Sequence, residues 1–397
     1  MSGGESIYDV TMIGTLPPLK GISPYCAELA VLLSEHMRIE FLDFKRLYPE
    51  RFYPGKTEED DLYPVDITRS NITRRRLLDF CNPYTWFKAG FGMRGRVVHA
   101  QWWTGILAPV YLVVLTIARL RGKRVIITVH NVDPHENRLL LRLLNDCILP
   151  LGDEFIVHGD TCREKLTRKV KGKKKVHAVP HPPLQCSRDA GDDAVDAAET
   201  RNELGIDEGQ PLILFFGNIR DYKGLDVLIK AMPQVIDSHP DARLLIAGQL
   251  WGDWEKYDRI IAEERIRENV ITRLEFLPFR ELEKLIVAAD LAVFPFRHLD
   301  SASSSVVLAY SLGKTIVASD VGDLAEMRGD GIYLVRPDCP ETLAGAIDTA
   351  LRRNLDEGGT RPRGDAGSWE IDGTEVAHRH ITAYRGSTAY PPHVTVT

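Results

Sequence analysis

Two cations held between two glycines are the clearest candidate chemistry in this chain of 397 residues: Gly217-Asn-Ile-Arg220-Asp-Tyr-Lys223-Gly224. The run before them, Pro211-Leu-Ile-Leu-Phe-Phe216, is short and apolar and reads as a buried strand. The run after them repeats Leu225, Leu228, Ile229, Met232, Val235 and Ile236 at three- and four-residue spacing, which is one face of a helix. Strand, glycine turn, cationic loop and helix together direct backbone N–H groups, a positive helix end, an arginine and a lysine at one small volume. A diphosphate is the natural occupant. A solvated turn with two surface cations is the bland alternative. Lys223 is followed by Gly224 and not by Ser or Thr, so this is not a Walker A loop.

Two further stretches offer chemistry. Asp300-Ser-Ala-Ser303-Ser304-Ser305 precedes an apolar helical run and ends where helical N–H groups lack partners, which suits either a plain N-cap or a phosphate. His130-Asn-Val-Asp133-Pro-His135-Glu136 follows the strand Arg124–Val129, where open α/β sheets bind ligands. Its spacing is not His-Glu-x-x-His and no third ligand is placed, so no metal is expected.

The elements that must position these residues alternate strand and helix along nearly the whole chain, the pattern of doubly wound parallel sheets. Strands are expected at Val10–Ile13, Arg38–Phe44, Arg96–His99, Arg124–Val129, Glu154–His158 and Lys175–Pro180. After a boundary at 182–210, acidic in Asp189, Asp192, Asp193 and Asp196, come Pro211–Phe216, Arg243–Gly248, Arg273–Leu277, Leu291–Pro295, Thr315–Ala318 and Gly331–Val335. A loop Gly14–Ile22 containing Gly21 leads to a helix with Ser23 as N-cap and Pro24 at its first position. Residues 45–70 read as a surface loop. Ala100–Ala118 carries no charge over 19 residues, but Gln101, Thr104 and Pro109 interrupt it, and a buried crossover helix fits better than a membrane span. Arg69, Arg74, Arg75, Arg76, Trp86, Phe87, Lys88, Arg94 and Arg96 interleave cations with aromatics, suiting either an anionic lipid surface or a solvated helix over the sheet.

Gly217-x-x-Arg220-x-x-Lys223-Gly224, opening an α/β domain, resembles the donor site of glycosyltransferase family 4. The resemblance implies a GT-B fold, two Rossmann-like parallel-sheet domains facing a cleft. The expected parts are an acceptor domain over 1–183, a nucleotide-sugar donor domain over 184–365, a helix over 366–385 returning to the first domain with Trp369 near its start, and a disordered tail over 386–397. It implies that Arg220 and Lys223 hold the donor diphosphate, with Gly21, Gly217, Ser303, Ser304 and Ser305 at the phosphates. His130 is implied at the donor sugar, and Gly248, Pro278, Phe279 and Glu326 near the nucleotide. This chain departs from the family at three places. Lys20-Gly21 stands where two glycines are common, Asp300 replaces the first of two glutamates, and Leu308 replaces the second, which holds the ribose.

The activity implied is transfer of a sugar from a nucleoside-diphosphate sugar to a hydroxyl acceptor, a glycan or lipid-linked glycan, with retention and with no metal or other cofactor. A sugar-nucleotide epimerase, or a non-catalytic subunit that binds nucleotide sugars for a membrane glycosyltransferase, are the alternatives. Composition is that of a globular protein with two cores, at 44% hydrophobic and 27% charged residues. Residues 1–180 carry 27 Lys+Arg against 20 Asp+Glu, and the remainder 23 against 36. The basic first half suits an anionic acceptor or surface. Six scattered cysteines with no Cys-x-x-Cys exclude a zinc ribbon or disulfide framework and suit a reducing cytosol, and the N-terminus has no signal-peptide pattern. A cytoplasmic protein, peripheral at the inner membrane face and without nucleic-acid partners, is expected.

Overall fold

The computed structural model describes residues 8–19, 21–47, 65–133, 139–184, 197–299, 303–327, 329–356 and 372–386. Lys20, Asp300, Trp369, most of the loop expected over 45–70, the acidic residues 189–196 and the tail from 387 lie outside them. The described residues form two compact units. One runs to Pro183 and includes residues 372–386; the other spans Leu184 to 356.

The first unit is a seven-stranded parallel sheet in the order β3-β2-β1-β4-β5-β6-β7. The strands are β1 Tyr8–Gly14, β2 Ile39–Arg46, β3 Ile72–Asp79, β4 Gly95–Trp102, β5 Arg124–Val129, β6 Glu154–Val157 and β7 Val176–Ala178. Helices α1 Ser23–Ser34, α2 Pro83–Gly92, α3 Ala108–Leu120, α4 Leu139–Asp146 and α5 Asp160–Lys169 connect them. The central strands β1, β4, β5 and β6 are largely apolar runs because both faces of the sheet are covered there. Phe41, Val98, Ile126, Ile127 and Phe155 are fully buried.

Several expectations change here. The uncharged run divides: β4 ends at Trp102, the Thr104 hydroxyl accepts from Ile106 N, and α3 starts at Ala108 with Pro109 in its first turn. No helix among the described residues is long and apolar enough to cross a membrane. Arg74, Arg75 and Arg76 lie on the strand β3, not on a helix. Arg74 pairs with Asp43 and Arg75 with Glu40, two carboxylates of β2 that the sheet buries completely. A buried carboxylate without a partner is costly, so the arginines are recruited inward. Ser23 does not cap α1. Ile22 holds that position, and the Ser23 hydroxyl is buried with no hydrogen-bond partner among the described residues.

The second unit is a six-stranded parallel sheet in the order β10-β9-β8-β11-β12-β13. After α6 Ala197–Glu203 come β8 Leu212–Phe216, α7 Leu225–Ser238, β9 Arg243–Ala247, α8 Glu255–Glu263, β10 Val270–Arg273, α9 Phe279–Ala288, β11 Leu291–Phe294, α10 Ser304–Ser311, β12 Thr315–Ser319, β13 Ile332–Val335 and α11 Pro340–Asp356. β10 ends at Arg273, four residues before the expected Leu277. Strand order reverses between β8 and β11. Ligands of open α/β sheets bind beyond the carboxyl ends at such a switch point. The loop after β8 carries Arg220 and Lys223, and the start of α10, which follows β11, carries Ser303–Ser305.

The last helix, α12 Gly373–Arg385, belongs to the first unit. The Asp372 side chain caps it, accepting from Thr374 N at 2.8 Å. Gly373 lets it approach α1, since a Cβ there would lie 2.9 Å from a Leu32 methyl.

Candidate donor site

In the second unit the chain leaves β8 at Gly217 and is clasped to the segment after β9. Gly217 N donates to Ala247 O, Ile219 N to Gln249 O at 2.8 Å, and Trp251 N to Ile219 O at 2.9 Å. A short 3-10 turn, Asp221–Lys223, ends on Gly224 in the left-handed region, and α7 begins. Gly224 has a second constraint: a Cβ there would sit 2.0 Å from the Pro295 carbonyl. Gly248 likewise permits contact with the loop, for its Cβ would fall 2.1 Å from Gly217 O.

Gly217 marks the centre of the site. A Cβ built on it would lie 2.9 Å from Lys223 Nζ and 2.9 Å from Ser305 Oγ. The cationic loop and the start of α10 therefore meet at one point. Ser303 is the N-cap residue of α10, but its side chain makes no capping bond.

Neither Arg220 nor Lys223 pairs with a carboxylate among the described residues. Both rest on aromatic rings. The Arg220 guanidinium carbon lies 3.9 Å from the centre of the Trp251 ring, and Lys223 Nζ lies 5.3 Å from that of Phe296. The acids beside them are engaged elsewhere: Asp221 with Lys256 at 2.9 Å, and Asp226 with Arg297 at 2.6 Å. Lys223 is only 6% exposed. Burial, and then the Arg220 charge, bring its ammonium down to about 8. Two cations are thus held close together with no carboxylate paired to them among the described residues, an arrangement that suits an anion.

In the first unit, His130 follows β5 and is 7% exposed. His130 Nδ1 lies 3.1 Å from His158 Nε2, and His130 Nε2 lies 3.0 Å from the Gln101 side-chain amide. Burial drives His130, His158 and His99 to low pKa, so each ring is neutral and carries one N–H. His158 Nδ1 faces the Val179 carbonyl at 3.2 Å, which can only accept, so His158 spends its N–H there. His158 Nε2 must then accept from His130 Nδ1–H. His130 Nε2 must accept in turn, and balance requires the Gln101 amide to present its N–H to it. The amide oxygen then faces His99 Nε2, and His99 Nδ1 accepts from the Tyr384 hydroxyl at 2.7 Å. Both nitrogens of His130 are therefore engaged within its own unit. Tyr25 packs edge-on against His130, with ring centres 4.6 Å apart, and also meets His158 and His181. Among the described residues no group of three such side chains is placed to hold a metal. Gly21 has a left-handed φ of +97° and open space around it.

Residues 196–361 match the family described as Glycosyl transferases group 1. That match spans most of the second unit. The fold of the chain is GT-B. It is shared with sucrose-phosphate synthase from Thermosynechococcus elongatus, with TM-score 0.63 at 18% identity over 94% of this chain and 93% of that one. It is shared also with Anabaena Alr3699/HepE in complex with UDP-glucose, with TM-score 0.63 at 14% identity over 95% and 94%. A D-inositol 3-phosphate glycosyltransferase of Segniliparus rotundus is 31% identical over 206 residues, 49% of this chain and 45% of that protein. A GDP-mannose-dependent monoacylated alpha-(1-6)-phosphatidylinositol monomannoside mannosyltransferase of Corynebacterium glutamicum is 32% identical over 46% of this chain and 50% of that protein. The chain spans about half the length of these curated relatives.

Within the second unit the structure brings Gly217, Lys223 and Ser305 together, with Arg220 beside them. Gly248 abuts the same loop. Pro278 precedes α9, and the Phe279 ring is buried at its start. Glu326 ends a half-buried 3-10 turn after β12. Leu308 is 4% exposed on α10 and belongs to the buried core of this unit. Sequence reasoning missed Trp251 and Phe296 in this domain, and Gln101, His158 and Tyr25 around His130. Their signal was position: each of Gln101, His158, Trp251 and Phe296 lies at or just past the carboxyl end of a strand.

Proposed function

We propose that the chain is a retaining, metal-independent glycosyltransferase that moves a sugar from a nucleoside-diphosphate sugar to a hydroxyl of a glycan or lipid-linked glycan. The observation that carries this reading is the pair of cations Arg220 and Lys223, paired with no carboxylate among the described residues, at the switch point of the sheet, with Ser305 at the same place. As the glycosidic bond breaks, the leaving diphosphate gains negative charge. In this reading Arg220, Lys223 and the helix start at Ser303–Ser305 face that charge and stabilise the transition state more than the bound donor. Fixed cations and helix ends supply what a metal would supply elsewhere. Retention follows in this reading from the departing phosphate drawing the acceptor proton on the same face. The solved neighbours in complex with UDP or UDP-glucose support a nucleotide-sugar donor. The basic first unit suits a phosphorylated or membrane-linked acceptor, and a cytoplasmic protein peripheral at an anionic membrane.

Product analysis with UDP- and GDP-sugars tests it. Transfer with the donor's anomeric configuration kept, within about twofold in EDTA, is the expected outcome. Interconversion of the donor sugar without transfer would instead indicate an epimerase, and nucleotide binding without turnover a non-catalytic subunit.

A further inference from the structure

We infer that Trp251 is a positioning residue for Arg220, an inference that rests on the donor-site reading above. Other arginines of the second unit are fixed by oxygen acceptors: Arg297 by Asp226 and Asp338, Arg201 by the carbonyls of Ala288 and Gln210, Arg353 by Asp330. Arg220 is held differently. Its guanidinium carbon lies 3.9 Å from the Trp251 ring centre, and no carboxylate pairs with it among the described residues. A carboxylate would orient the guanidinium but would cancel its charge and occupy its N–H groups. An aromatic face orients it through the π surface and leaves the in-plane N–H groups for a ligand.

The backbone supports the same assignment. Ile219, which precedes Arg220, forms an isolated parallel bridge with Leu250, which precedes Trp251. Ile219 N donates to Gln249 O and Ile219 O accepts from Trp251 N. The cation and the ring thus spring from paired positions of one clasp, so their separation is set before any ligand arrives. Pre-set geometry of this kind lowers the ordering cost of binding.

The test is calorimetric titration of UDP and GDP into the full chain carrying Trp251→Leu, Trp251→Phe, Arg220→Ala, and Trp251→Leu with Arg220→Ala. Leucine keeps an apolar side chain and removes the π face. Melting curves identify any variant that fails to fold, and Trp251→Phe, which keeps a π face, is then compared with the parent. Trp251→Leu should weaken binding about tenfold, and Trp251→Phe should stay within about threefold of the parent. On the Arg220→Ala background, Trp251→Leu should cost nothing further, because the group it positions is gone. Parent-like affinity in Trp251→Leu, an equal loss on the Arg220→Ala background, or a loss in Trp251→Phe as large as in Arg220→Ala would overturn the inference. A parent that binds neither UDP nor GDP overturns the donor-site reading itself, and this inference with it.

Discussion

Arg220 and Lys223 differ in setting, and their substitutions should differ accordingly. Arg220 sits on the Trp251 ring, and Arg220→Ala should fold normally while losing about 10²–10³ in turnover, the scale of removing one oxyanion donor. Lys223 is buried, which excludes the solvated turn with two surface cations. Its ammonium carries a desolvation cost in the folded state, so Lys223→Met should melt no earlier than the parent and yet lose donor binding. A melting point several degrees lower would show instead that Lys223 holds the loop together. Its pKa gives a pH test with a definite sign. The folded value is about 8, below the unfolded value near 10.4, so the native protein releases this proton first as pH rises. Nucleoside-diphosphate affinity should fall as pH passes about 8, while the penalty Lys223 places on stability is relieved between about 8 and 10.4. Leu308 belongs to the core of its unit, and Leu308→Ala should cost about 2–5 kcal/mol in denaturant unfolding, with a smaller direct effect on turnover. At this scale the two cations were legible because charge between glycines after an apolar run is conspicuous. Their aromatic seats were not, since Trp251 and Phe296 lie 31 and 73 residues from the partners they support, and only the fold brings them near.

The elements were legible where an apolar run ended on a turn residue, as at β8 with Gly217 or β5 with His130. They were misjudged where charge carried the pattern. Arg74 and Arg75 read as a basic surface, but β3 lies beside β2 and both side chains serve Asp43 and Glu40. This moves the proposed membrane contact to α2. Tyr84 is 71% and Phe91 64% exposed there, with Phe87 exposed between them at helical spacing. Leu120, 82% exposed, ends α3, and the neighbouring Arg121 donates to the carbonyls of Gly90 and Met93 near the end of α2. Residues 80–132 contain no Asp or Glu, while Lys88, Arg94, Arg96, Arg119, Arg121, Lys123 and Arg124 lie among them. An apolar face within a wholly cationic stretch suits an anionic lipid surface. Flotation with phosphatidylserine vesicles at low salt should carry the protein, weaken as salt rises, and be lost when Tyr84, Phe87 and Phe91 become serine. Flotation unchanged by that triple substitution would remove α2 from the account. Arg75→Ala should act otherwise, lowering stability by leaving Glu40 buried with one partner fewer.

Across the whole molecule, two parallel sheets were readable from the alternation of strand and helix, because each apolar run is a strand covered on both faces. The histidine network was not readable, since its members come from β4, β5, β6 and α12, separated by up to 285 residues. It makes the first unit acid-sensitive in a definite window. Burial lowers His158 to about 4, His181 to about 3 and His380 to about 4. Unfolded histidines take up protons near 6.5, so the unfolded state binds more protons between about 6.5 and 4. Stability should be fully present above about 6.5 and fall with pH below it, by up to about 1.4 kcal/mol per pH unit for each such histidine. Urea unfolding followed from pH 7.5 to 5 would show it, and an unfolding midpoint independent of pH over that range would refute it. The donor-site claim, on which the functional reading depends, is tested most directly by the melting temperature of the full chain in EDTA, with and without UDP-glucose or GDP-mannose. For a ligand at 100 times its dissociation constant the parent should gain about 2.7 kcal/mol of stability. The double variant Arg220→Ala with Lys223→Ala should fold and gain almost nothing. A parent indifferent to both nucleotide sugars, or a double variant stabilised as much as the parent, would contradict the assignment of Arg220 and Lys223 to the donor diphosphate.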